Sequence, residues 1–545
     1  MLINPNIFFI SRQWPLIAIP LLLWPAVIVM IRILGTMKSP LPGPKLAKYT
    51  GWWIRLKSIF DPSFGVQTIH HLHERYGPIV QVAPKQISFC HANALRDIYA
   101  GPRGLDSSAD MAMFQQFGSV NLVSTTDADL HRTRRNHVAR LYSGPSVTTP
   151  EVQEIFKAHL DCLMARLEEN ATRSPSRTVN IFPWIKWLTS DVMIQLALGS
   201  KNAPDLLRSE TSRMKYQSLI TTSTGGDNFD GLYALLLFWF PNLALWIPGF
   251  FKPQPKINEF GMKRTKEEFE NQEFSASDLK PTTHLRHPIT IYRCKGARTG
   301  IPDAKYVASD CMDHFFAGTA TTTDLMAASI WRLSLPENKA YQKRLRQELR
   351  DAGVCSGAHP EFPVIHQLPF LTNVLRETLR LDSPVPFGLP RVVKKGQDIT
   401  IMGVKIEPGT RISTPIYSLH RNSLAGLHRP GNLEPRPLGP TGLFTGVQAD
   451  VTKLYPVWDR SKNVYGDEEY REANTQFYVD CSVAWAETRL FLARIYSTYE
   501  TRLDQVWLDD NGALLHEKMR KKLYPATVEE PIEFRQLSED SKHFK

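Results

Sequence analysis

The chain has 545 residues, 42% of them hydrophobic and 22% charged, a balance that excludes a disordered or low-complexity protein and leaves ample material for a buried core. Its six cysteines, Cys90, Cys162, Cys294, Cys311, Cys355 and Cys481, form no CxxC pair and no zinc-ligand spacing, which argues against a disulfide framework. The net charge of +11 is spread without an aromatic-interleaved patch, so a membrane surface or an acidic protein is the expected partner and nucleic acid is not.

Residues 1–13 read as a short tail. From Trp14 to Met30 no charge interrupts the chain, and Ile31, Arg32, Ile33 and Leu34 follow. Residues 14–34 are therefore just long enough for a single transmembrane helix, which needs about 17–25 apolar residues. Pro15, Pro20 and Pro25 count against a regular helix, although membrane helices tolerate proline better than soluble ones. Arg32 and Lys38 follow the run and only Arg12 precedes it, which places the body of the chain on the cytosolic side. A cleaved signal peptide is the alternative, but the run exceeds a usual h-region and no small-residue cleavage site is clear.

Residues 35–50 form a proline-rich hinge around Ser39 to Pro44, SPLPGP, where proline imposes extended or turn geometry. On composition alone this is a linker. Residues 51–545 carry no internal repeat or long low-complexity divider and read as one domain. A helical pattern runs through His70–Tyr76, stops at Gly77 and Pro78, and gives way to strand-like alternation up to Pro84. From about Glu151 to Ser277 the apolar spacing is mostly helical, so the body is predominantly α.

Three constellations carry chemistry. In DADLHRTRRNHVARLYS, Asp127 to Ser143, His131 and Arg135 stand one helical turn apart, and two cationic donors on one face suit a pair of carboxylates. A solvated basic helix face is the plain alternative. In DHFFAGTATTTD, Asp313 to Asp324, Gly318 costs roughly 1 kcal/mol against alanine in mid-helix, which points to a local loosening or the close approach of a ligand. Hydroxyls at Thr319, Thr321, Thr322 and Thr323 are suited to bond backbone carbonyls and open a groove; an ordinary core helix is the alternative. In LTNVLRETLRLDSPVPFGLPRVV, Leu371 to Val393, Glu377 and Arg380 stand at i, i+3 on an amphipathic helix, a pair worth only ~0–1 kcal/mol if exposed.

Taken in order, the apolar anchor, PLPGPKLAKYT, HLHERYGPIVQVAP, the His-x-x-x-Arg pair, AGTATT, the E-x-x-R with its GLPR strand, and KIEPGTRISTPIYSLHRN resemble membrane-bound fungal cytochromes P-450. The resemblance implies a mainly α prism with small β-sheets and an N-terminal transmembrane helix. It also implies haem b, electrons from NADPH through a flavoprotein reductase, a lipophilic small-molecule substrate, and an endoplasmic reticulum membrane. His131, Arg135 and Arg391 would meet the haem propionates, while Glu377 and Arg380, grouped with the cofactor-binding set, would form a buried core pair. Ala317 to Thr322 resembles the oxygen-activation motif [AG]-G-x-[DE]-T-[TS], making Ala317, Gly318 and Thr321 the expected catalytic positions. Ala320 occupies the acidic place, so protons would have to come through Thr321 and water. Asp324 lies one turn further on.

After Asn422 the pattern stops. Where the family shows P-E-x-F-x-P-E-R-W, this chain has SLAGLHRPGNLEPRPLGPTGLFTG. Reading the second and third codon bases of each residue with the first of the next, Pro430 to Gly439 can encode Pro-Glu-Thr-Leu-Ser-Pro-Asp-Arg-Trp, close to the missing meander. Residues 423–482 are therefore atypical: a displaced frame or a retained intron is expected, with real divergence as the alternative. The cysteine loop F-x-x-G-x-[RH]-x-C-x-G is also absent. Cys481 is the nearest thiolate candidate, yet Phe477 and Val483 stand where the family has glycines, and Val479 stands where it has a basic residue. The pattern resumes in VAWAETRLFLARIYSTYE, with Ala484 and Glu487 in A-x-x-E spacing. Two readings follow: a monooxygenase of fungal secondary metabolism, or a membrane-anchored remnant without a competent thiolate. A membrane scaffold is a weaker third.

Overall fold

The computed structural model describes residues 40–54, 62–99, 104–139, 141, 143–174, 177–199, 203–216, 256–270, 304–356, 359–421, 481–503 and 531–536. The principal helices are α1 (Pro62–Tyr76), α2 (Ala92–Tyr99), α3 (Ala128–Val138), α4 (Pro150–Arg173), α5 (Ile181–Leu198), α6 (Lys256–Glu270), α7 (Ala304–Ser334), α8 (Lys339–Asp351), α9 (Pro369–Leu381) and α10 (Cys481–Thr498). The strands are short: β1 (Ile79–Ala83), β2 (Gln86–Phe89), β3 (Asp106–Ser107), β4 (Thr178–Asn180), β5 (Arg391–Val392), β6 (Ile399–Ile401), β7 (Val404–Ile406), β8 (Arg411–Ser413), β9 (Tyr499–Leu503) and β10 (Pro531–Gln536). The expected mainly α body with small sheets is what this element order gives.

The centre of the fold is α7, 31 residues long. It ends where the chain meets Pro336, since a residue preceding proline is pushed out of helical geometry. Helix α5 lies along it. That helix is apolar on nearly every face, from Ile181 and Phe182 through Ile194 and Leu198, as a fully interior helix must be. Helices α6, α9 and α10 also pack on α7, and one continuous core runs through Leu163, Ile185, Met193, Phe315, Ile330, Leu375, Phe491 and Tyr496.

A second cluster, with Phe89, Ile98, Ile399, Ile401 and Ile412, lies with the five-stranded sheet, ordered β1-β2-β8-β5-β3. The Gly77 stop takes the expected form: its φ is 93° and its N–H donates to the His73 carbonyl at 3.0 Å, a left-handed cap that glycine adopts without strain. In β5, Arg391 faces Ser107 of β3 on one side and Ile412 of β8 on the other. Gly388 lets the chain reach that register: with φ of 64°, any Cβ there would strike the Thr414 carbonyl.

Among the described residues no helix is long and apolar enough to cross a membrane. The expected anchor at 14–34 and nearly all of the atypical segment 423–482 lie outside the described residues.

Candidate functional site

Helix α3 begins in a knot of charges. The Asp127 carboxylate accepts the Leu130 N–H at 2.8 Å, capping the helix, and Asp106 of β3 accepts the Ala128 N–H at 3.0 Å. Lys394, just past β5, places its ammonium 3.1 Å from Asp106, 3.6 Å from Asp127 and 4.0 Å from Asp129. These contacts hold Asp127 below the usual carboxylate range, chiefly through the Leu130 N–H. They also fix the start of α3 against the edge of the sheet.

One turn inward, α3 buries His131 and Arg135. Arg391 of β5 is buried as well; it donates to Ser107 Oγ at 2.9 Å and lies 5.5 Å from the Tyr99 ring centroid. Tyr99 is itself anchored, donating to the Leu389 carbonyl at 2.7 Å. The His131 pKa falls to about 4, first through burial and then through the positive charges of Arg391 and Arg135. His131 Nδ1 is buried with no hydrogen-bond partner among the described residues. Asp310 of α7 offsets part of this positive charge, and the donor set suits a dianion with carboxylate arms. The three residues fit the propionate end of a haem.

The second part of the site is one stripe of α7. Between Tyr306 and Leu335 every residue is buried except Asp313, Phe316, Ala317, Ala320, Thr321, Asp324 and Trp331. All but Trp331 recur at the three-and-four spacing of a single helix face. Ala317 is exposed at the middle of this otherwise interior helix, so the face borders open space. Thr321 Oγ1 donates to the Ala317 carbonyl at 2.8 Å.

Gly318 does not lie on that face. It is buried, and a Cβ there would come within 2.6 Å of Met193 Sδ and Cε on α5. The close approach of α5, with the end of the Met193 side chain where a Cβ would stand, is a packing reason for the mid-helix glycine beside the oxygen groove expected from sequence. Thr323 likewise turns to α5, donating to the Thr319 carbonyl and meeting Thr189 Oγ1, both at 2.7 Å.

Glu377 and Arg380 form a bidentate pair on α9, with Nη2 to Oε1 at 2.6 Å and Nε to Oε2 at 2.8 Å. Arg380 Nη1 also donates to the His420 carbonyl at 3.2 Å. Neither residue is among the charges acting on His131 or Arg391. The pair stands in the scaffold, tying α9 to the turn at His420, and not in the cationic corner with the other expected cofactor contacts.

Cys481 is the first residue of α10, and Phe477 and Val479 lie outside the described residues. Of the described free cysteines, Cys311 lies on α7 nearly opposite the open face, buried in the core. Cys90 is buried with the sheet, Cys162 is half-buried on α4 and Cys355 is exposed. None of the four stands on the stripe.

Sequence reasoning missed Lys394, Asp106, Ser107 and Tyr99, which come from segments far apart in the chain. It used Glu487 only as a spacing marker. Glu487 is buried, with no partner for either carboxyl oxygen among the described residues, and burial pushes its pKa up to about 8.

The buried cationic corner would suit an anionic group beside the open face of the central helix. The chain belongs to the cytochrome P-450 family, whose sequence pattern matches residues 42–424, and is therefore of the haem-dependent monooxygenase class of oxidoreductases. It is 24% identical over 514 residues to the cytochrome P-450 monooxygenase BOT1 of Botryotinia fuckeliana, covering 89% of this chain and 90% of that protein. It is 25% identical over 493 residues to the cytochrome P-450 monooxygenase atr2 of Stereocaulon alpinum, covering 88% of each. A tryprostatin B 6-hydroxylase of Aspergillus fumigatus is 25% identical over 406 residues, covering 73% of this chain and 67% of the relative. The family match ends two residues beyond Asn422, where the sequence pattern itself breaks off.

Proposed function

We propose that this chain is a membrane-anchored haem-thiolate monooxygenase that hydroxylates or otherwise oxidises a lipophilic small molecule in fungal secondary metabolism, with electrons from NADPH through a flavoprotein reductase. The observation that carries the reading is the convergence of His131, Arg135 and Arg391 in one buried corner. Kinship with monooxygenases of fungal origin supports the metabolic setting. Residues 14–34 would supply the anchor, with the body facing the cytosol.

In this reading Arg135 and Arg391 bind the carboxylate arms and His131 donates through Nδ1 once an acceptor is beside it. A thiolate-ligated haem supplies the electron push that favours O–O cleavage. Ala317 and Thr321 border the reacting space, Thr321 holding its hydroxyl hydrogen on the Ala317 carbonyl until a stronger acceptor competes. Gly318 lets α5 close against α7, and Glu377 with Arg380 keeps α9 in place. Cys481 is the assigned thiolate, at the N-terminus of α10, where the helix dipole favours an anion.

A second reading, an inactive remnant, is favoured by the end of the family match at residue 424 and by the poor fit of the residues around Cys481. The purified protein, reduced and exposed to carbon monoxide, separates the two. A monooxygenase gives the shifted Soret band of a thiolate-ligated haem, and Cys481→Ser abolishes it. A normal band in Cys481→Ser removes that cysteine from the site; no band in the native chain leaves the remnant.

A further inference from the structure

Ala320 leaves the acidic position of the central helix empty, and the next group on the same face is Asp324. The two stand four residues apart on the stripe that keeps surface in the middle of α7. Helical side chains tilt toward the N-terminus and cover the turn before their own Cα. A carboxyl at 324 therefore leans back over the turn that carries Ala320, whose methyl leaves room for it. Thr321 is the other neighbour on that face. Its hydrogen lies on the Ala317 carbonyl, so its oxygen lone pairs face outward as acceptors. The Thr323 hydroxyl is engaged with the Thr319 carbonyl and with Thr189 of α5, and Thr319 is buried off this face.

Asp324 has a counter-charge from a second element. Lys186 of α5 is buried beside Ile185, Trp187 and Leu188, and among the described residues it is the one charged group acting on Asp324. Asp324 acts on Lys186 in return. Burial pushes the carboxyl up to about 7 and the ammonium down to about 8, each partly offset by the other. Most of Asp324 is covered, and the surface it keeps lies on the open face. A pair shut in this way is a poor stabiliser, because lost hydration outweighs mutual attraction. Its position at the edge of the open face is what it offers in exchange.

We propose that Asp324 is the proton-relay acid of α7, standing in for the acid that Ala320 lacks and delivering through Thr321. The inference rests on the monooxygenase reading. Such a turnover joins one dioxygen with two electrons from the reductase and two protons, giving one inserted oxygen atom and one water. The Asp324 O–H breaks and its proton passes to an ordered water. That water gives a proton to Thr321 Oγ1, and the Thr321 hydroxyl proton leaves into the space beside Ala317. The Asp324 carboxylate takes a proton back from solvent through the open face, so the acid is regenerated.

Two measurements test it. Infrared difference spectra of the whole protein, taken against Asp324→Asn, should contain a protonated-carboxyl band that titrates near pH 7 and moves upward in Lys186→Met. A carboxyl titrating in the ordinary aspartate range overturns the proposal. In protein that gives the carbon monoxide band, NADPH-driven oxygen consumption with a purified reductase should shift in Asp324→Asn from water toward hydrogen peroxide. The proton-dependent rate should fall about 100-fold, the low end of what a placed general acid contributes. Lys186→Met combined with Asp324→Asn, which leaves no unpaired buried ammonium, should do the same. Adding Ala320→Asp to Asp324→Asn should restore the water yield, which a merely structural role for Asp324 would not allow. Unchanged peroxide in both variants removes the relay alone; a native chain without the band removes the monooxygenase reading and the relay with it.

Discussion

At the scale of single residues, the buried acids and the glycine are where sequence and structure part. Glu487 is an acid with no partner among the described residues, and its pKa of about 8 against a reference of 4.5 has one cause, desolvation. A folded-state pKa raised above the unfolded value means that the stability this group contributes is complete below about pH 4.5. It is lost as pH climbs to about 8. Glu487→Gln removes the titration, so denaturant midpoints of native and variant should diverge in favour of the variant between pH 5 and pH 8. Parallel curves would mean that an unseen partner satisfies the carboxylate. This pH-dependent cost was invisible in A-x-x-E spacing, because burial is a property of the packed core and not of the helix that carries the residue. His131 and Arg135 were legible, since an i, i+4 cationic pair on a helix needs no tertiary knowledge. Lys394 was not, since what matters is the convergence on it of Asp106 and Asp127 from other segments.

At the scale of elements, the contact between α5 and α7 is the clearest case of a correct signal to which the structure adds a packing cause. The sequence marked Gly318 as anomalous, and the structure puts Met193 where its Cβ would go. Gly318→Val should therefore cost about 1–3 kcal/mol from overpacking, beyond its effect on helix propensity. Met193→Ala opens a cavity on its own and should cost about 2–5 kcal/mol. The double variant should be more stable than the sum of the two losses, because each change accommodates the other. Additive losses in a denaturation cycle would show that Gly318 serves the open face instead. The long helices and the Gly77 stop were legible because period and punctuation are local. Strands β3 and β5 were not: two residues each, they exist only as partners of each other and of β8.

At the scale of the whole molecule, the two stretches that carry the family pattern belong to one core. Helix α10, beyond the unmatched segment, buries Leu490, Phe491, Leu492, Ile495 and Tyr496 against α7 and α8. Thr501 of β9, just beyond it, is tied to Ser334 Oγ at 2.7 Å. Chain on both sides of residues 423–482 thus packs into the same core, while the residues between match neither the meander nor the cysteine loop. Gradual divergence would erode the flanks along with the middle, because an enzyme that has lost its thiolate has no reason to keep α10 complementary to α7. A displaced frame or a retained intron changes only the middle. Sequencing the message from Ser423 to Ala484 should therefore yield a second form encoding P-E-x-F-x-P-E-R-W-like and cysteine-loop segments, joined in frame to Val483 or its neighbour. Protein made from that form should give the carbon monoxide band at full haem occupancy, and protein made from the sequence as written, with Cys481 as its thiolate, should give it at lower occupancy. If the written message is the only one and its protein gives the band, displacement is refuted and Cys481 holds the iron in a loop of a new kind.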